Sequence, residues 1–179
     1  DDLVLIPGDI SWAMQLTAAL PDLSFIGNLP GKKILLKGNH DYWWSAIGRV
    51  RASLPAGMRA LQNDSIVEGE VGICGSRGWL CPGSNNFSAE DQKIYLRELD
   101  RLSLSLNSLP TVSTKIAMLH FPPFVDRDRG SGFTERLEQA GVDIVIYGHL
   151  HGEANRYAFE GERNRIVYHC VAADKLDFS

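Results

Sequence analysis

Asp9, Asn39, His120, His149 and His151 offer carboxylate, amide and imidazole donors, and each stands just beyond a short apolar run. Leu3-Val4-Leu5-Ile6 leads to Pro7-Gly8-Asp9, and Ile34-Leu35-Leu36 leads to Gly38-Asn39-His40-Asp41. Ile116-Ala117-Met118-Leu119 leads to His120-Phe121-Pro122-Pro123, and Asp143-Ile144-Val145-Ile146-Tyr147 to Gly148-His149-Leu150-His151. A single histidine after a strand is more often structural than a ligand. Here four of the five histidines stand at such ends beside Asp9 and Asn39, and only His169, inside a strand-like stretch, reads as packing. Nitrogen and oxygen donors without a nearby thiolate suit Mn, Fe or Zn. A structural zinc site would draw on cysteine, and magnesium prefers oxygen ligands and water. The donor types do not choose among Mn, Fe and Zn.

Runs that are apolar at successive positions suit strands covered on both faces. Ligands of open α/β sheets collect beyond the carboxyl ends of the strands. The four runs therefore predict that the donors meet at one edge of one sheet, with Gly8, Gly38 and Gly148 allowing the sharp turns that aim them inward. Between the runs, 13–25 has helical character that Pro21 should break or end, and 45–54 and 134–140 are short helix candidates. The clearest helix is 88–106, where Ser88 and Asp91 make an N-cap signature and Tyr95, Leu99, Leu102 and Leu106 recur at helical spacing. Ser65–Glu68 and Val71–Cys74 read as a hairpin around Gly69-Glu70, and 154–160 with 165–171 as another around Gly161. Residues 75–87 and 120–133 are loop-like.

With 179 residues, 44% of them hydrophobic, the chain suits one domain with a single sizeable core. A net charge of −4 argues against a nucleic-acid groove. Cys74, Cys81 and Cys170 are odd in number and form no CxxC pair, so they read as reduced thiols of a cytoplasmic protein. No apolar run reaches membrane-spanning length.

Gly8-Asp9, Gly38-Asn39-His40-Asp41, His120 and Gly148-His149-Leu150-His151, in that order, resemble four of the five motifs of the calcineurin-like metallophosphoesterases. Gly-Asp is worthless as a signal alone. Gly-Asn-His-Asp and Gly-His-x-His after strands are specific, and the match spans Gly8 to His151. The resemblance implies an α/β sandwich of mixed β-sheets flanked by helices, with a metal site at the carboxyl ends of the strands. It implies a phosphoric ester hydrolase with two divalent or trivalent transition-metal ions and a small phosphorylated substrate. Asp9 would bridge the ions, Asn39, His120 and His149 would complete the second metal site, and His151 would belong to the first. His40 would be the general acid, oriented by Asp41. Two ions sharing a hydroxide lower its pKa and clamp the phosphoryl oxygens during in-line attack.

The family's first motif, Asp-x-His, is absent from 1–179, and Asp1-Asp2 precede a strand, the wrong end for ligation. The expectation is one domain over 1–179 that lacks its first strand and first motif, both of which would lie upstream. A protein truly without them would be left with Asp9 and His151 for the first metal. Tyr42, Trp43 and Trp44 would wall the site or pack as core, and Arg77 would meet a phosphate or form a surface salt bridge. The charges from Asp126 to Arg129 read as a solvated loop. A nuclease of the same superfamily and a non-catalytic scaffold are the alternative functions.

Overall fold

The computed structural model describes residues 2–127 and 129–177. Asp1, and Asp128 of the 126–129 charge cluster, lie outside the described residues. Strands β1 (Leu3–Ile6), β2 (Lys32–Leu36) and β3 (Met58–Leu61) form a parallel sheet in the order β1-β2-β3. Strands β4 (Ile66–Glu68), β5 (Val71–Ser76), β6 (Thr114–Leu119), β7 (Ile144–Tyr147), β8 (Gly161–Arg163) and β9 (Ile166–Cys170) form a second sheet, ordered β4-β5-β6-β7-β9-β8. There β5, β6, β7 and β9 run parallel, while β4 and β8 pair antiparallel with β5 and β9. Helices α1 (Leu16–Asn28) and α2 (Ile47–Ser53) link strands of the first sheet. Helices α3 (Ala89–Asn107) and α4 (Gly132–Gln139) link strands of the second.

Alternation along the strands divides the core into three layers. Leu35 packs with Ala19, Leu23 and Val50 of the first helical layer. Its neighbours Ile34 and Leu36 point the other way, to meet Ile73 and Met118 of the second sheet. Ala117, Leu119, Val145 and Tyr147 then face Tyr95, Leu99, Leu102, Phe133 and Leu137 of α3 and α4. The architecture is an α/β sandwich of two face-to-face sheets with helices outside. In β2 the uninterrupted apolar run does reflect cover on both faces. In β1 it does not, because that strand is an edge of its sheet and Val4 remains 38% exposed.

The single sheet expected from the sequence is thus two sheets, since β3 is followed by a hairpin that starts a new ladder. Register keeps the ligand-bearing ends together. Ile6 pairs with Leu35, and Leu119 with Tyr147, so two loops leave each sheet side by side. Strand β3 had no counterpart in the sequence reading. Pro21 does not break α1, which runs through it on an exposed face, so the carbonyl it leaves unbonded is not forced into the core. The second hairpin is shorter than expected and turns at Asn164-Arg165, both with positive φ, while Gly152–Tyr157 form a 3-10 helix. Helix α3 starts where its signature placed it, with Ser88 Oγ accepting from the Asp91 N–H and Asp91 returning the bond to the Ser88 N–H.

Met118 is fully buried between the sheets. Met118→Ala is expected to lower stability by about 2–5 kcal/mol in urea denaturation, because the rigid facing sheets cannot close the void.

Candidate metal centre

The loops after β1 and β2 touch backbone to backbone. Gly8 has φ +99°, and a Cβ there would stand 2.6 Å from Gly38 Cα and 2.8 Å from His120 Nδ1. At Gly38 a Cβ would stand 2.1 Å from Asp9 Oδ1. Asp9 itself adopts φ 57°, a left-handed conformation uncommon for a residue with a side chain. Asp41, with no exposed surface, holds this arrangement. Its Oδ2 accepts from the N–H groups of Asp9 at 2.8 Å and Gly38 at 2.7 Å. Its Oδ1 accepts from the N–H groups of Ile10 and Ser11, and from Trp43 Nε1 at 2.9 Å. Five donors on one buried carboxylate join two loops that begin on neighbouring strands.

Against that frame four donors converge. His120 Nε2 lies 2.6 Å from Asn39 Oδ1 and 3.4 Å from Asp9 Oδ2. His149 Nδ1 lies 3.0 Å from Asn39 Oδ1 and 3.2 Å from His120 Nε2. Donor atoms of Asp9, His120 and His149 all fall within 4.8 Å of one another. The donor chemistry suits a cation. His120 Nδ1 sits 2.8 Å from the Pro7 carbonyl, which can only accept, so the one proton of a neutral ring belongs there. Nε2 then presents a lone pair to an amide oxygen and a carboxylate. Burial lowers the pKa of His120, opposed by Asp9, and lowers that of His149 to about 4, assisted by His120. Both rings are therefore neutral at neutral pH, the form that binds metal. Two neutral imidazoles, an amide and a carboxylate gathered this closely fit a transition metal. The three cysteines are buried, and none belongs to the group of ligands.

His40 flanks this cluster. Its backbone N–H donates to Asp9 Oδ1 at 2.9 Å. Its ring stacks on Trp12 at 4.8 Å with a 17° tilt, and Nδ1 is 3.4 Å from Tyr42 Oη. Trp12 is 76% exposed and Tyr42 54%, so the His40 ring lies between two solvent-facing aromatics. The sequence reading missed Trp12, although it stands only three residues beyond Asp9. It also gave Asp41 the task of orienting His40. That is corrected, because the oxygens of Asp41 are taken by five other donors and the His40 ring is not among them.

Other expected residues divide. Trp43 is buried and hydrogen-bonded to Asp41, so it supports the loop and does not wall a substrate site. Trp44, also buried, donates to Gln62 Oε1. Arg77 pairs with buried Glu98 at 3.3 Å and lies over the Trp79 ring, and it meets the ligand group only through its carbonyl, which accepts from the His120 N–H at 3.1 Å. Asp126 and Arg129 form an exposed ion pair. His151 falls outside the three-residue ligand group, yet it lines the same groove of about 500 Å³ as Asp9, His120 and His149. Asp174, unforeseen from sequence, lines it too and accepts from the Gly152 N–H at 2.6 Å.

A family model described as calcineurin-like phosphoesterase matches residues 1–153. No curated protein matches at a significant level. Among solved structures, "GAP50 the anchor in the inner membrane complex of Plasmodium" superposes with a TM-score of 0.55 at 15% identity, over 96% of this chain and 61% of that one. At that identity the likeness speaks for the fold alone.

Asp41→Asn would set an amide NH₂ against N–H donors. It is expected to cost about 3 kcal/mol or more in urea denaturation, and to lower metal content although Asp41 is not placed as a ligand.

Proposed function

This chain belongs to the calcineurin-like phosphoesterase family, and from that premise we propose that it hydrolyses phosphate esters of small molecules, with His40 as general acid. The observation that supports this most directly is the convergence of nitrogen and oxygen donors from the ends of four strands in two sheets. Asp9, Asn39, His120 and His149 would hold one ion. In the two-ion form, Asp9 would also serve the other, with His151 beside it in the groove. Bound metal, as Mn, Fe or Zn, supplies charge neutralisation at the phosphoryl oxygens and a water nucleophile of lowered pKa for in-line attack.

The chain's own residues do the rest. Asp41 fixes both loops, so the donors are already gathered before an ion binds. His40, held by Trp12 and Tyr42, donates a proton to the departing ester oxygen. An alkoxide leaves poorly unprotonated, so this proton matters most for alkyl esters. Trp12 and Tyr42, exposed beside His40, would border the leaving group. Among the described residues no helix is long and apolar enough to cross a membrane. The buried free thiols and the net charge of −4 favour a cytoplasmic enzyme without a nucleic-acid partner. A second reading is a metal-binding scaffold without turnover, favoured by the position of His151 outside the ligand group.

Two variants separate these readings. His149→Ala should lose bound metal by elemental analysis. His40→Ala should keep its metal yet lose about 10²–10⁴-fold in kcat on alkyl phosphates, and far less on an activated aryl ester whose leaving group needs no proton. Metal binding without any esterase turnover would leave the scaffold reading, and turnover indifferent to chelators would falsify the metal reading.

A further inference from the structure

A second cavity, of about 260 Å³, opens where the ends of β2, β3 and β5 meet helix α3. Its lining shares no residue with the groove at the metal ligands. Lys37, Arg77, Arg97 and Arg101 border it against a single carboxylate, Glu98, a formal excess of three positive charges in a chain whose net charge is −4. Glu98 is 1% exposed and takes both Arg77 and Arg101 on the same oxygen, Oε1, at 3.3 and 2.8 Å. Its other oxygen, Oε2, is buried without a partner, and so is Arg77 Nε. An ion pair made only for stability would use both oxygens of the carboxylate and the whole arginine fork. Here a donor and an acceptor are both left over, beside a cavity rich in cationic N–H groups.

We propose that this cavity binds an oxyanion of the hydrogenphosphate type, either orthophosphate itself or a phosphoryl group that keeps one P–OH. The arginines and Lys37 donate to the charged oxygens, and the P–OH donates to Glu98 Oε2. Because that oxygen is buried, a turn of the carboxylate about its last torsion must bring it to the cavity wall. A fully deprotonated anion would meet that carboxylate oxygen lone pair to lone pair. The site therefore selects phosphate over sulfate, which carries no proton at neutral pH. Because no metal ligand lines the cavity, this holds whether or not the chain turns over esters.

Isothermal titration of the full chain near neutral pH, with inorganic phosphate, sodium sulfate and methylphosphonate, tests it. Phosphate should bind wild type and Asp9→Asn alike, and sulfate should bind about tenfold more weakly or worse. Arg97→Gln and Arg101→Gln should each weaken phosphate about tenfold. Arg97 is exposed, so its substitution leaves folding intact. Glu98→Gln, which turns the acceptor into an amide able to donate, should erase the preference for phosphate over sulfate. Binding of phosphate alone assigns the free ion, and binding of methylphosphonate as well assigns a capped phosphoryl group. The proposal is overturned if phosphate fails to bind, if sulfate binds equally, or if binding survives both arginine substitutions and disappears in Asp9→Asn.

Discussion

Everything at the metal-binding edge depends on one buried carboxylate. Asp41 collects five N–H donors from the loops after β1 and β2. Burying a charge is costly unless it is fully hydrogen-bonded, and this one is. The bonds hold Asp9 in a left-handed conformation and bring Gly8 against Gly38, where no larger residue fits. The carboxylate of Asp9 and the ring of His40 inherit their positions from that junction, since the His40 N–H returns to Asp9 Oδ1. A residue that touches no ligand atom thus sets the geometry of those that do.

The other half of the site arrives from the second sheet. Strands β6 and β7 end beside each other and deliver His120 and His149 across the gap between sheets. What keeps the gap narrow is the layer of Ile34, Leu36, Ile73 and Met118 between them. The Pro7 carbonyl then reaches over from the first sheet to fix the His120 tautomer. Apolar packing and metal chemistry are therefore coupled, because any change in sheet spacing changes the distance between donors from opposite sheets. The same burial keeps both imidazoles neutral, which is the state a cation needs.

Charge is distributed unevenly around this edge. The groove at the metal donors carries Asp9 and Asp174, while the cavity beside α3 gathers four cations around one acid. Both are built from strand ends, but a negative groove suits metal and a positive cavity suits an oxyanion. The fold supplies two chemically opposite sites from one architectural feature.

The sequence by itself determined which donors are present, that they follow apolar runs, and hence the class of fold and a donor set suited to metal. Those properties are local: Gly38-Asn39-His40-Asp41 after Ile34-Leu35-Leu36, or the Ser88 and Asp91 cap of α3, can be read within a few residues. Only the tertiary structure decided that the strands divide between two sheets, that Asp41 serves backbone N–H groups rather than His40, and that Trp12 supports the His40 ring. It also decided that His151 stands outside the ligand group and that Arg77 answers to Glu98. Each of these depends on register and burial, which sum contributions from residues far apart in the chain. A side chain's type is written at its own position, but its partners are chosen by what folds against it.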